Sequence, residues 1–451
     1  MVKQFREFEL TRDFMERFQQ ALDERDSVFI IDTLEEINPA DITAILYETN
    51  SEESKWVLDL MGPDLHAQIL KDLDSDTRKN YLKIYPVGEL ITLVNLLDSD
   101  DAADILNELP IKTSEEVIGA IDAQLRSQVI DLLRYDEHVA GGLMAKELVK
   151  VHDHWTIGQC IQEVRVQAEQ VSKFYTAYVV DEKDRLLGRI SLQNLILRDP
   201  NTLVRDIIEE VVPVETYLED REVAEVMKRY DYESVPVVNV QGTLVGRITI
   251  DDVVDVISEQ AEEERQIMSG ISEDVEEDDT VWRNTRARLP WLLVGVAGGL
   301  LSARFMGFFE GELTRIAAIS FFVPLIQATG GNVGIQSSSI VVQSLSSAGY
   351  MQETMRNRLA RVFSVALLNG LFLALVALGA NLLIFGNRDL SITVSLALFA
   401  VVVFASFVGT ITPLILHRFG FNPALASGPF ITTTNDLLGL GVYFSTVQLL
   451  L

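Results

Sequence analysis

The residue with the most chemical consequence in this 451-residue chain is one carboxylate, Asp436, inside the run NPALASGPFITTTNDLLGLGVYFSTVQLL at 422–450. That run carries no other formal charge and places Asp436 at its midpoint. Holding a carboxylate at a bilayer centre costs about 2.5 to 3.5 kcal/mol on insertion scales. Such a residue marks an ion path, or else it is protonated and bonded to a neighbouring helix. Pro423 and Gly428-Pro429 loosen the helix ahead of it and free carbonyls to face water, and Thr432 and Thr433 lie one turn before the acid. A second run holds Pro324 and then Gly330-Gly331-Asn332. Within it Asn332, Gln336, Ser339 and Gln343 recur at spacings of 4, 3 and 4, which stacks four polar side chains on one helix face. Lipid cannot satisfy such a face, so it meets water or, with Ser337 and Ser338 beside it, binds helices together. One carboxylate per chain, doubled across a twofold axis, suits a cation that keeps its water, as Mg²⁺ does; dehydrated Ca²⁺ wants about six to eight oxygens. Mn²⁺, Co²⁺ and proton-coupled transport satisfy the same ligands.

The elements that must position these groups are membrane spans. Five apolar segments follow Pro290, near 290–309, 316–345, 358–385, 391–417 and 423–449, each at least as long as the roughly 20 residues a crossing needs. Arg283, Arg286, Arg288, Arg356, Arg358, Arg361 and Arg418 flank one side, against Arg304, Arg315 and Arg388 on the other. The positive-inside rule then sets the N-terminal part in the cytoplasm and the C-terminus outside. Charge divides the chain in the same place. The whole holds 37 Lys+Arg against 67 Asp+Glu, but residues 281–451 hold 5 acids, 10 arginines and no lysine, leaving 62 acids and 27 bases before them. An acidic soluble part excludes nucleic acid as a partner, since phosphate binding needs a basic footprint. The one cysteine, Cys160, forbids an intrachain disulfide and suits a reducing compartment, and the start MVKQFREFEL has no apolar core of the kind a signal peptide needs.

Within the soluble part, residues 178–196 align without gaps on 236–254 at an offset of 58, with six of 19 positions identical, Gly188-Arg189-Ile190 and Gly246-Arg247-Ile248 among them. Each copy reads as strand, turn, strand and helix. The paired unit resembles a tandem of cystathionine-β-synthase (CBS) domains, an α/β fold. In that family a Ser/Thr and an Asp three residues on hold a nucleotide ribose. The resemblance therefore implies ATP at Thr249 and Asp252, whereas the first copy, with Ser191 and Asn194, has lost the acid. Thr249 and Asp252 also fit an ordinary helix N-cap. Residues 8–134 read as short helices joined by Pro, Asp and Ser turns, and Asp100, Asp101 and Asp104 exceed what one cap requires. More acids gather at Asp251, Asp252 and Asp255, at Glu262, Glu263 and Glu264, and in EDVEEDD at 273–279. Either these are solvated faces, or cations bind between acidic surfaces that otherwise repel. A connecting helix over about 260–282 is expected to run into the first span.

Taken together, PLIQATGGNVGIQSSS, NPALASGPFITTTND, the CBS pair and the acidic helical domain resemble the MgtE family of bacterial magnesium channels or transporters over essentially the whole chain. The expected organisation is an acidic helical superhelix domain (1–135), tandem CBS domains (136–258), a connecting plug helix (259–284) and a five-helix transmembrane domain (285–451). The resemblance implies a homodimer in the cytoplasmic membrane that admits Mg²⁺ and is shut by it. Its ion pathway falls on Asp436 as the metal-facing group, with Gly330, Gly331, Asn332, Gln336 and Thr432. Its regulatory Mg²⁺ sites fall on Asp100, Asp104, Asp231, Asp252, Glu263 and Glu264. Arg221 stands where the family often has an acid, which weakens one regulatory site. Competing classes are a transporter of other divalent cations, a membrane-seated sensor, or a CBS-regulated protease. The protease would need H-E-x-x-H, and the five histidines (His66, His138, His152, His154, His417) never take that spacing. His152 and His154, two apart, read as a solvated turn or as metal ligands.

Overall fold

The computed structural model describes residues 8–168, 171, 174–272, 275, 280–345, 355–426 and 428–451, and the chain divides into two compact units, 1–257 and 258–451. In the first, helices α1 (Arg12–Asp23) to α10 (Ala123–Leu132) are each 8 to 12 residues long. Their polar punctuation explains the brevity. Thr11, Asp26, Asn38 and Asp74 each accept a backbone N–H at a helix start, and Asn50 with Glu53 completes a capping box. The early helices bury Phe18, Ile30, Leu46, Val57 and Leu58 together. The later ones place Leu90, Val94, Ile105, Leu106 and Val117 in one continuous core with Val235, Val237, Ile248 and Val253 of the second CBS copy. That shared core fixes the start of α8 (Ser99–Glu108) against the second copy.

Two three-stranded sheets follow. In the first, β1 (Lys150–His152) runs parallel to β2 (Thr176–Val180), which pairs antiparallel with β3 (Leu186–Ser191). In the second, β4 (Val214–Glu215), β5 (Ser234–Val238) and β6 (Leu244–Thr249) repeat the order. The hairpins coincide residue for residue at the offset of 58, down to a register shift at Val179/Val180 and at Val237/Val238. Every residue of β2 and β5 is buried, which is why TAYVV and SVPVV are near-continuous apolar runs instead of alternating ones. The one-turn α11 (Ala140–Leu143) precedes β1, helices α12 (Ile157–Gln167) and α14 (Asp220–Tyr230) make the parallel crossovers, and α13 (Leu192–Leu197) follows β3. Cys160 is buried inside the first copy, which pushes its thiol up to about 11.

After β6 comes α15 (Ile250–Met268), which ends where Ser269 and Gly270 turn the chain, Gly270 at φ +82°. The expected rod over 259–284 is therefore two elements: α15 stops at Met268 and the next helix starts at Val281, because a left-handed residue cannot continue a helix. The acidic run at 273–279 lies largely outside the described residues, which include only Val275 of it.

In the second unit the long helices are α16 (Val281–Met306), α18 (Val323–Leu345), α19 (Met355–Phe385), α20 (Arg388–Arg418) and α21 (Gly428–Leu450), with the short α17 (Glu310–Arg315) after α16. Among the described residues four segments are long and apolar enough to cross a membrane: Val281–Arg315, Ala317–Leu345, Leu359–Phe385 and Arg388–Arg418. Helix α21 has the length, but TTTND dilutes its apolar character. It buries Ile431, Leu440, Tyr443, Phe444 and Val447 against Ile326, Val394, Leu398 and Val401. The outward faces of α16 and α19 expose Leu300, Leu301, Leu368, Phe372 and Leu383 while Ser338, Ser391, Ser406 and Thr410 are buried, the inverse of a water-soluble bundle.

Candidate functional site

In the second unit, glycines set the distance between helices. A Cβ on Gly330 would stand 3.1 Å from Val401, and one on Gly334 would strike Asn435. One on Gly331 would lie 3.3 Å from the Thr432 methyl and 3.9 Å from Asp436 Oδ1. Small residues thus bring the backbone of α18 against the polar turn of α21. Gly331, Thr432 and Asp436 meet at this contact, and Asp436 keeps partial exposure. Thr432 gives its hydroxyl to Gly428 O at 2.9 Å.

The polar stripe on α18 splits. Asn332, Gln336 and Gln343 are exposed and Ser339 is half-buried, whereas Ser338 donates to Ala426 O at 2.9 Å and Ser337 bonds Ser406 at 3.1 Å. Interhelical bonding thus falls on the serines beside the stripe, and three amides face outward from a helix of membrane-spanning length. The sequence reading missed Asn435, which is 2 % exposed, with neither amide atom hydrogen-bonded.

At the start of α21, Gly428 (φ +54°) and Gly270 (φ +82°) lie against one another's neighbours. A Cβ on Gly428 would strike Met268 O, the end of α15, and one on Gly270 would come 2.6 Å from Pro429 Cγ. Ser272 N–H to Ala287 O at 2.9 Å ties the same turn to α16. Asp436 lies two turns beyond this junction on α21.

In the first unit, Asp98, Asp100 and Asp101 each place a carboxylate oxygen within 4.8 Å of the others, and among the described residues they are the only group of three or more acids, histidines or cysteines so placed. Asp104, Asp231, Glu263 and Glu264 stand outside it. Asp104 is exposed three residues along α8, Asp231 is the left-handed cap of α14 at φ 55°, and the two glutamates lie in the latter half of α15. Partial burial and then the carboxylates of Asp101 and Asp252 push Asp100 well above the usual carboxylate range. Burial raises Asp101 as well, against the pull of Lys71 at 2.8 Å. Asp252 reaches about 6 through burial, with the Thr249 bonds acting in the opposite sense. Two segments 150 residues apart in sequence thus form one strongly acidic surface, which hard oxygen donors make fit for Mg²⁺. Lys71 and Arg78, whose guanidinium is bidentate to Glu108 at 2.8 Å, were not legible as its neighbours.

Asp252 Oδ2 accepts the Thr249 hydroxyl at 2.8 Å and its N–H at 2.9 Å, the arrangement of a cap, and Thr249 is buried. In the first copy Ser191 and Asn194 both donate to Glu209, a residue the sequence reading passed over. His152 and His154 stack at 5.5 Å, and among the described residues neither belongs to a group of three possible ligands.

Residues 323–446 match the family profile "Divalent cation transporter", 37–138 the "MgtE intracellular N domain", and 139–201 and 204–259 the CBS domain. The magnesium transporter MgtE of Thermus thermophilus is 34% identical over 443 residues, covering 96% of this chain and 97% of that protein. That of Bacillus subtilis is 29% identical over 412 residues, covering 91% of each. A solved cytosolic domain of the Mg²⁺ channel MgtE in complex with ATP is 38% identical, with a TM-score of 0.51 over 53% of this chain and 98% of that one.

Proposed function

The chain belongs to the MgtE family of magnesium transporters, and from that premise we propose that it admits Mg²⁺ across a membrane past Asp436 and is shut by Mg²⁺ bound to its acidic soluble part. It is a transporter and not an enzyme. The observation that carries the reading is the contact of Gly331, Thr432 and Asp436 beside a helix that turns Asn332 and Gln336 outward. A single carboxylate attracts a divalent ion without stripping it, and amides, hydroxyls and the backbone at Gly330 and Gly331 hydrogen-bond to its water. Two chains facing each other across this polar stripe double the carboxylate and cover the amides that lipid would leave unsatisfied. In this arrangement α21 is the fifth span, the soluble part is cytoplasmic and the C-terminus lies outside.

The regulatory step uses the acidic surface. Mg²⁺ between Asp100 and Asp252, with Asp98 and Asp101, removes the repulsion that opposes packing of α8 on the second CBS copy. Asp104, Asp231, Glu263 and Glu264 add weaker sites to the same two-state element. Asp252 sits in the first turn of α15, and the last residue of that helix, Met268, lies against Gly428 at the head of α21. To the CBS pair of this chain we assign ATP, the ligand in the solved cytosolic domain of the related channel. Proteoliposome uptake of Mg²⁺ tests the reading: Asp436→Asn is expected to abolish flux that wild type shows, and undiminished uptake by that variant would defeat it.

A further inference from the structure

Resting on the reading that the CBS pair takes a ribonucleotide, the geometry points to Glu209 as the residue that recognises the ribose, in the first CBS copy and not the second. The two copies carry the same element of backbone. Arg189 and Glu209 exchange N–H···O bonds of 3.0 and 2.9 Å at the end of β3, and Arg247 and Ala145 exchange bonds of 3.0 and 2.8 Å at the end of β6. Glu209 therefore stands in the first copy where Ala145 stands in the second. At the offset of 58, Asn194 corresponds to Asp252. Each strand end thus has one carboxylate, carried by different elements: Asp252 by the helix after the strand in one copy, Glu209 by the linker in the other.

The two carboxylates differ in what they can still bind. Asp252 Oδ2 is taken by the buried Thr249, and the group faces Asp100 and Asp101. Glu209 uses Oε1 for both local donors, Ser191 Oγ at 3.0 Å and Asn194 Nδ2 at 2.6 Å. Its Oε2 lies 3.5 Å from Arg189 Nε, and that Nε is buried without a hydrogen bond. An acceptor and an orphaned donor side by side suit a hydroxyl, which accepts from one and donates to the other; an anion would be repelled by the carboxylate. A ribose 2′-OH is such a group, and carboxylate recognition of it is how dinucleotide folds select the sugar. Arg189 is held in place over the Tyr232 ring at 4.8 Å.

Binding of ATP and of 2′-deoxy-ATP to the purified full-length protein decides the matter. Wild type is expected to favour ATP by about tenfold or more, the worth of a hydrogen bond to a charged group. Glu209→Gln brings ATP down to the level of deoxy-ATP. The exchange Asn194→Asp with Glu209→Asn, which returns the acid to the side it occupies in the second copy, restores the preference and shows that the fold is intact. ATP binding unchanged or tightened in Glu209→Gln, equal affinity of wild type for the two nucleotides, or no ATP binding at all overturns the assignment. Mg²⁺ uptake by wild type from the same preparation tests the transport reading separately.

Discussion

Replacing Gly428 by alanine probes how the soluble part reaches the pore. Two costs arise. A non-glycine residue at φ +54° costs about 1–2 kcal/mol, a strain present whether the pore is open or closed, so it lowers stability without changing gating. The added Cβ also strikes Met268 O at the end of α15, and forcing a carbon into packed backbone costs about 1–3 kcal/mol. That second cost falls only on the state in which α15 rests on α21. Since about 1.4 kcal/mol is tenfold in an equilibrium, the Mg²⁺ concentration that half-inhibits flux should rise from about fivefold to about a hundredfold. Gly386→Ala is the matched control, with φ +64° in the same unit but nothing within 4 Å of the new carbon. The assay is Mg²⁺ flux into liposomes against internal Mg²⁺ at fixed protein density. An unchanged midpoint in Gly428→Ala, or an equal shift in Gly386→Ala, would refute coupling through this junction.

Two further outcomes follow from the first unit. Asp100, Asp101 and Asp252 have folded-state pKa values raised above the unfolded value, so they oppose folding once ionised; without Mg²⁺ the stability of the N-terminal helices should fall as pH rises from about 4 through the value near 6 held by Asp252, and Mg²⁺ should flatten that loss. Thermal melts in EDTA and in Mg²⁺ across this window check it, and stability that instead rises with pH in EDTA would contradict it. Arg78 and Glu108 are only 13% and 8% exposed, so Arg78→Ala strands a buried carboxylate and should cost about 3–5 kcal/mol in denaturant unfolding; a loss under about 1 kcal/mol would mean solvent reaches Glu108 freely.

Much of this architecture is local and so was legible in the chain. The 58-residue offset marked both hairpins, because buried central strands keep apolar runs wherever the fold repeats. Four of the five expected spans were legible from length and composition, whereas Gly330 and Gly331 were set beside Asp436 by the family resemblance and by no spacing of their own. What escaped was non-local. Lys71 meets Asp101, and Arg78 meets Glu108, across 30 residues, a separation set by superhelix packing and by no sequence period. Glu209 reaches Asn194 from the linker between the two copies, so its role depended on a backbone pairing that no motif announces. The connecting helix looked continuous because its acids and glutamines favour helix; the turn at Gly270 was decided by the fit against Pro429.

The most direct test of the central claim concerns water at residue 436. Cys160 is the chain's one cysteine and is buried, so Asp436→Cys presents a single reactive thiol to a small, charged, membrane-impermeant thiol reagent. The account predicts rapid modification in reconstituted protein, with Phe372→Cys, 68% exposed near the middle of the apolar α19, inert in the lipid. If the thiol at 436 were as unreactive as the one at 372, the carboxylate would have no wet passage to face, and the transport path through Asp436 would be wrong.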